Sequence, residues 1–350
     1  MIKINRIFIF LFLTFLLSWG FDGLLIFVTG LDPYLHLGMS PWGMLVPAFI
    51  ALVLQLFFFK DSPIYYKIYK EKPRWILFGF LVLTVVYAII VWTAAFFPEL
   101  KQILQGVGAL LFTLWTLLVF FLYGQSPKKV LQKSGLELGN IKVGQRFLVG
   151  IIVFLLLQGA FNLLFDLGDF VGKLDRVYGL PVPSALYFPA LIILFIGVTA
   201  IGIPLSGLAG VFGEEYGWRG FLLQELIPVG KIRAVLWVGV VWGIWHFPVI
   251  IRGVHTYPAS LLGLSLAIIF FVLWGMIQGY ALLKTGSIWV VSFMHGLVNS
   301  IYSFILRYGV KPADKVYSFG LGIYGLICLG VVIWFILRDP IWNHENNETG

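Results

Sequence analysis

Long apolar segments separated by short polar ones dominate the 350-residue chain. A membrane-spanning helix needs about 20 mostly apolar residues, whereas a porin-type barrel would show short segments of alternating polarity. The pattern therefore predicts an all-α, polytopic integral membrane helical bundle with about eight to ten transmembrane helices. Ten spans are the preferred interpretation, at residues 7–28, 42–59, 75–97, 107–123, 147–167, 185–211, 234–251, 260–283, 287–306 and 319–337.

The composition agrees with a membrane environment. Hydrophobic residues make up 60% of the chain and charged residues 11%, against about 25% charged residues in soluble domains. A soluble globular fold is excluded because so much apolar surface cannot be hidden in one core. The net charge of +8 is attributed to cytoplasmic loops, and no nucleic-acid partner is expected. The single cysteine, Cys328, excludes an internal disulfide and a Cys-based metal site.

The distribution of basic residues predicts an orientation. Most Lys and Arg residues fall in segments on the same side as the N-terminus, which predicts that both termini are cytoplasmic. The first apolar segment is too long for a signal peptide and indicates a retained transmembrane helix. Basic loops and the lack of an organellar targeting segment favour a prokaryotic plasma membrane, with membrane lipid as a partner.

A polar, basic segment at residues 128–146 divides the chain. We interpret it as a cytoplasmic linker between an N-terminal transmembrane extension (1–127) and a core (147–340), which is followed by a polar tail (341–350). Few polar residues other than Asp22 lie inside the N-terminal spans, so no chemistry is assigned to them. The later spans contain nearly all of the polar intramembrane residues, which places the candidate chemistry in the core.

Two adjacent acidic residues, Glu214 and Glu215, follow the sixth apolar segment. Ionisable residues within a membrane are costly and are therefore functional candidates. Neighbouring helical residues point about 100° apart, so the two carboxylates cannot face one spot. Glu215 and Arg219 have i, i+4 spacing with the acid first, which favours an ion pair and leaves Glu214 to face elsewhere. The alternative is a membrane-surface helix whose acids pair with Lys231 and Arg233.

Three further polar residues, His246, His295 and Asn299, lie in later spans. Each alone is typical of a hydrogen-bonded core residue, and an interhelical hydrogen bond is worth about 1 kcal/mol. Together with Glu214 they predict a polar pocket between three helices. There Glu214 could take a proton from a water held by His246, while His295 and Asn299 donate hydrogen bonds to an oxyanion.

The same residue types also permit a zinc site. Two histidines and one glutamate form a known catalytic zinc set, which here would be Glu214, His246 and His295. The compact H-E-x-x-H signature is absent from the sequence, and no Ser or Cys stands out as a nucleophile. The residues alone therefore leave metal-free and zinc-dependent hydrolysis open.

Three ordered motifs resemble those of the CPBP family, the CAAX prenyl endopeptidases and bacteriocin-processing enzymes also called the ABI domain. The resemblance covers residues 188–306. It departs at Trp242, where the family usually has Phe, and we expect one aromatic ring to replace the other. The motifs are Glu-Glu-x-x-x-Arg at 214–219, Trp-x-x-x-His at 242–246 and His-x-x-x-Asn at 295–299.

The resemblance implies an all-helical intramembrane endopeptidase that hydrolyses a peptide bond. It implies that Glu214 and His246 activate water and that His295 and Asn299 form the oxyanion hole. Between the glutamate-type and metallo-type mechanisms described for the family, we favour the glutamate type with no required cofactor, and zinc is the alternative. The expected substrate is a peptide or protein, and CAAX-type prenylated and bacteriocin-related substrates are both left open.

Two other function classes stay open. One is a non-catalytic membrane scaffold or immunity protein of the same fold, which the complete set of four site residues argues against. The other is a proton-coupled transporter, which the lack of an inverted repeat argues against. Neither alternative requires hydrolysis, so a cleavage assay separates both from the peptidase.

The predicted span 185–211 creates a geometric difficulty for the site. It places Glu214 at the membrane surface, whereas His246 would lie deep in the following span, although a general base must come within about 3 Å of its water. Pro189 and Pro204 lie inside this span and are expected to bend it. The helix must therefore either continue past residue 211 or divide into two pieces near Pro204.

Overall fold

The computed structural model describes residues 3–32, 41–170, 176–177, 180–181, 183, 186–253 and 257–343. The predicted all-α bundle is confirmed, and each of the ten predicted spans contains helix within the described residues. Residues 344–350 of the predicted polar tail and residue 185, the predicted start of the sixth span, lie outside them.

The helices and strands follow in chain order. The helices are α1 (Ile4–Thr29), α2 (Pro41–Val53), α3 (Arg74–Phe96), α4 (Lys101–Tyr123), α5 (Lys128–Lys133), α6 (Ile141–Leu164), α7 (Tyr187–Ile196), α8 (Leu208–Glu215), α9 (Leu223–Leu226), α10 (Lys231–Trp245), α11 (Phe247–Ile251), α12 (Leu261–Thr285), α13 (Ile288–Phe304) and α14 (Ile323–Ile336). The short strands are β1 (Gly168–Phe170), β2 (Arg176–Val177), β3 (Leu180–Pro181) and β4 (Val310–Pro312). β1 pairs antiparallel with β4, and β2 with β3.

Helix length limits how many of these elements cross a bilayer by themselves. In the part of the chain that the structure describes, five helices are long and apolar enough, and a bent pair would make six. Three further apolar helices, Trp42–Phe58, Ile288–Phe304 and Ile323–Ile336, are shorter than the roughly 20 residues of a full span. The protein is therefore a polytopic membrane bundle, and ten crossings stay a prediction.

The predicted end of the sixth span at residue 211 is wrong. The chain bends by 61° between the helical stretches Pro189–Leu205 and Leu208–Val229, beside Pro204, which lacks an amide hydrogen for the helix. It then continues as helix through α8, a π-helical segment (Tyr216–Leu222) and α9. The apolar run stops where the acidic residues begin, but the helix continues because those charges have partners inside the protein. The Glu pair thus lies within the bundle.

The helix that carries the Glu pair rests directly on the N-terminal half. A Cβ atom on Gly213 would overlap the carbonyl oxygen of Met44, and a Cβ on Gly217 would overlap Pro47. Glycine at both positions lets the backbone of α8 and of the following π-helical segment touch the backbone of α2, in the manner of G-x-x-x-G crossings. The N-terminal helices therefore support the element that positions Glu214.

A second glycine crossing joins α10 to α12. A Cβ on Gly239 would lie 2.7 Å from Cα of Val272, and a Cβ on Gly275 would lie 3.2 Å from Cα of Gly239. Each helix repeats the small residue four positions later, at Gly243 and Gly279, which is the spacing that close transmembrane crossings use. This contact brings α10, which ends beside His246, against the middle of α12.

Candidate active site

One cavity of about 300 Å³ is lined by all four residues predicted to be catalytic, namely Glu214, His246, His295 and Asn299. They come from α8, the junction of α10 and α11, and α13. The pocket predicted between three helices is therefore present. Other elements complete the lining, among them α1 with Ser18, Trp19 and Asp22.

Glu214 and Glu215 are both buried and face different neighbours. Glu214 lines the cavity, and its Oε2 accepts a hydrogen bond of 2.7 Å from Nε1 of Trp242. Glu215 forms the predicted ion pair with Arg219, with 3.2 Å between Oε1 and Nη1. The division of the acidic pair into one cavity residue and one ion-paired residue follows the sequence prediction.

The carboxylate of Glu215 collects donors from three helical segments. Its Oε1 accepts from Arg219, from Nε2 of Gln278 at 2.9 Å and from Nδ1 of His295 at 2.8 Å. All four side chains are buried. We call this set the Glu215 cluster. Gln278 was missed by the sequence analysis, although a lone amide in the apolar run of α12 is the kind of signal that marks such a partner.

The ring of His295 is oriented by this contact. A carboxylate offers only acceptors, so Nδ1 of His295 carries the hydrogen in the bond to Glu215. The ring's other nitrogen, Nε2, is then the one left for chemistry. Asn299 lies one helical turn further along α13 and is exposed to the cavity. His295 and Asn299 thus lie on one face of α13, as their i, i+4 spacing predicts, and both line the cavity.

His246 lies at a break between two helices rather than deep within one. α10 ends at Trp245 and α11 begins at Phe247, so the single predicted helix over 234–251 is wrong. Pro248 causes the break, because it has no amide hydrogen and its ring clashes with the carbonyl four residues earlier. Nδ1 of His246 lies 2.9 Å from the Trp242 carbonyl oxygen, and its ring stacks on Phe271 with centroids 4.1 Å apart.

A second charged cluster borders the same cavity. Arg252 donates from Nη2 to Asp22 at 3.1 Å and from Nη1 to Asp32 at 2.9 Å, and its Nε donates to the Pro248 carbonyl. Asp22 and Arg252 both line the cavity. We call this set the Arg252 cluster. It ties the N-terminal α1 to the segment after His246, so the N-terminal region, to which the sequence analysis assigned no chemistry, forms part of the cavity wall.

The zinc alternative requires three ligand side chains grouped around one point. Among the described residues, no three His, Cys, Asp or Glu side chains are grouped so that they could hold a metal ion. The conditional set of Glu214, His246 and His295 is not such a group. No catalytic step is therefore derived through a metal, and the metal-free mechanism stays a prediction.

Comparison with known proteins bears on the same region. Residues 186–301 match the family model described as type II CAAX prenyl endopeptidase Rce1-like. The matched range is close to the 188–306 over which the motifs resemble the CPBP family, and it contains all four cavity residues named above. No curated protein and no solved structure gave a match to the chain.

Proposed function

We propose that this membrane protein hydrolyses peptide bonds with a water activated by Glu214 and His246. The match of residues 186–301 to the family model described as type II CAAX prenyl endopeptidase Rce1-like supports the proposal. The observation that carries the proposal is the convergence of Glu214, His246, His295 and Asn299 on one cavity inside a helical membrane bundle. These residues come from three separate places in the chain, namely α8, the junction of α10 and α11, and α13, so packing along one helix does not explain their convergence.

Water activation is assigned to Glu214 and His246. Trp242 occupies Oε2 of Glu214, which leaves Oε1 to accept the proton of a water. A carbonyl oxygen only accepts hydrogen bonds, so the contact with Trp242 fixes the hydrogen of His246 on Nδ1. In the neutral ring Nε2 is then an acceptor that can hold the second hydrogen of the same water. Two acceptors on one water raise the nucleophilicity of its oxygen and provide the general base.

Oxyanion stabilisation is assigned to His295 and Asn299. With Nδ1 of His295 donating to Glu215, Nε2 donates to an oxyanion only when the ring is the imidazolium. Glu215 lies in position to balance that charge. Counting Glu214 and Glu215 as −2, and Arg219 and the His295 imidazolium as +2, the four groups sum to zero. Such a neutral group is less costly in a low-dielectric interior than any unbalanced subset.

Cleavage by the purified protein tests the proposal. In detergent or lipid nanodiscs, the protein is given a prenylated CAAX-type peptide, the same peptide without its prenyl group, and a mixed peptide library. Loss of a general base reduces rates by about 10²–10⁴-fold, and we expect that loss in kcat for Glu214→Gln and for His246→Ala. Asp61→Asn is the matched control, because Asp61 is an exposed loop carboxylate paired with Lys3 and Arg6.

Each result has a defined consequence. Turnover that survives both Glu214→Gln and His246→Ala contradicts the proposed mechanism. Activity abolished by a chelator and restored by zinc contradicts its metal-free part. If the protein binds peptides but cleaves none, the scaffold interpretation replaces the peptidase.

A further inference from the structure

Trp242 contacts both residues to which water activation is assigned, Glu214 and His246. Its indole Nε1 donates to Glu214, and its carbonyl oxygen accepts from Nδ1 of His246. We propose that Trp242 is a positioning residue that fixes the side chains of Glu214 and His246 relative to each other, an inference that rests on the proposed function. It acts through two different groups, a side-chain N–H for one partner and a backbone carbonyl for the other.

The indole ring is held so that its N–H has one direction. The guanidinium of Arg219 lies over its face at 4.2 Å from the ring centroid. Phe271 packs on it at 4.7 Å and the ring of His295 at 5.5 Å, both edge-on. Only 2% of Trp242 is exposed, so the ring has no space to rotate. The N–H is therefore fixed toward Glu214 by packing before any substrate arrives.

A fixed donor on a buried carboxylate has a mechanistic consequence. Hydrogen bonds to a charged acceptor are about twice as strong as neutral ones, so the bond at Oε2 determines the orientation of the whole carboxylate. The other oxygen then has one position from which to take a proton. A displacement of about 1 Å in a reacting group can reduce the rate about 10²-fold, so loss of this orientation should slow the reaction.

The contact depends on the nitrogen of the ring and not on its bulk. A phenylalanine at this position would supply an apolar ring without a donor. An aromatic ring alone therefore does not provide the bond to Glu214, which requires the indole N–H. The backbone contact with His246 is independent of side-chain identity, so the two contacts can be separated by mutation.

Trp242→Phe tests the side-chain part. It keeps an aromatic ring and the His246 contact and removes only the N–H. We expect kcat to fall about 10- to 100-fold, as for loss of a hydrogen bond to a charged group, with KM within about twofold of the wild type. The matched control is Trp115→Phe, which removes a buried indole bond to the Ile76 carbonyl, away from the cavity, and should leave both constants unchanged. An unchanged kcat for Trp242→Phe overturns the proposal.

A double-variant cycle shows whether the effect passes through Glu214. Glu214→Asp withdraws the carboxylate from the indole by one methylene. In that background, Trp242→Phe should change the residual kcat by less than about twofold, because coupled residues are non-additive. A full 10- to 100-fold fall there would overturn the assignment. If Glu214→Gln itself is fully active, the proposed function fails instead, so the two failures are distinguishable.

A second substitution covers the case in which Trp242→Phe misfolds. Benzothienylalanine at position 242 keeps the shape of the side chain and replaces the indole N–H by sulfur. The unfolding temperature in detergent is measured alongside for each variant. A wild-type unfolding temperature with the same fall in kcat supports a positioning role, whereas full activity of the benzothienylalanine protein overturns it.

Discussion

Two arginine–carboxylate clusters lie beside one cavity and are built in opposite ways. In the Glu215 cluster a single carboxylate oxygen receives donors from Arg219, Gln278 and His295. In the Arg252 cluster a single guanidinium donates to two carboxylates, Asp22 and Asp32. The first has a carboxylate at its centre and gathers cations and donors, while the second has a cation at its centre and gathers acids.

Solvent exposure separates the clusters further. The side chains of Arg219 and Glu215 are 0% exposed, whereas those of Arg252, Asp22 and Asp32 are 20%, 11% and 8% exposed. Breaking a fully buried ion pair leaves an uncompensated charge, while water can still reach part of a pair whose side chains are 8–20% exposed. We infer that the Glu215 cluster is essential to the fold and orients His295, whereas the Arg252 cluster mainly fastens α1 as a wall of the cavity.

Arg219→Met is expected to have the largest effect. It leaves the Glu215 carboxylate buried without its cation, which lowers the free energy of unfolding by about 3–5 kcal/mol and abolishes peptide cleavage because His295 loses its orientation. The measurement is unfolding in mixed detergent followed by tryptophan fluorescence, together with the cleavage assay.

The matched double variant Arg219→Met/Glu215→Met separates stability from chemistry. Removing both charges is often close to neutral for stability, so the unfolding free energy should largely recover. Cleavage should not recover, since no carboxylate then faces Nδ1 of His295. A double variant that regains both properties would contradict the role given to Glu215.

The two clusters also differ in how far the sequence reveals them. The pairing of Glu215 with Arg219 is local, at i, i+4, and could be predicted. Gln278 lies 63 residues from Glu215, and Arg252 lies 230 residues from Asp22, so no local pattern connects them. Hydropathy predicted the bundle because the bilayer constrains every span.

Hydropathy failed where polar groups are satisfied inside the protein. It ended the sixth span at the acidic pair, although Arg219 neutralises Glu215 within the bundle. It also treated residues 234–251 as one helix, because Pro248 interrupts hydrogen bonding without changing the apolar character. The aromatic at Trp242 was predicted as a substitute ring, and its N–H bond to Glu214 became visible only once α8 and α10 were placed together.

Arg252→Met is expected to have an intermediate effect. It removes the hydrogen bonds to Asp22, Asp32 and the Pro248 carbonyl, and because the site is partly exposed we expect a loss of about 1–2 kcal/mol in the free energy of unfolding. Cleavage should persist with a raised KM, since α1 loosens while Glu214 and His246 keep their contacts. Arg252→Lys serves as the control that retains the charge. A loss as large as that of Arg219→Met would remove the distinction between the clusters.

A third ion pair joins the C-terminal end of α12 to the segment that follows α14, and we expect it to make the smallest contribution of the three. Asp339 accepts from Nζ of Lys284 at 2.8 Å, and the ammonium group of Lys284 lowers the pKa of Asp339 from 3.8 to about 2. Since the folded-state pKa is the lower one, the stabilisation is fully present above the unfolded pKa. It is lost as the pH falls from about 4 towards 2.

Because the Lys284 side chain is 34% exposed, solvent screens this pair, and its contribution should be below about 1 kcal/mol. Asp339→Asn should therefore unfold slightly more easily than the wild type at pH 6, and the difference should shrink as the pH approaches 2. Unfolding free energies of both proteins across this range provide the measurement. A difference that is constant with pH would mean that hydrogen bonding to Tyr280, and not the charge of Lys284, supports Asp339. If Asp339→Asn lowered the free energy of unfolding as much as Arg219→Met, burial would not determine how much these ion pairs contribute to stability.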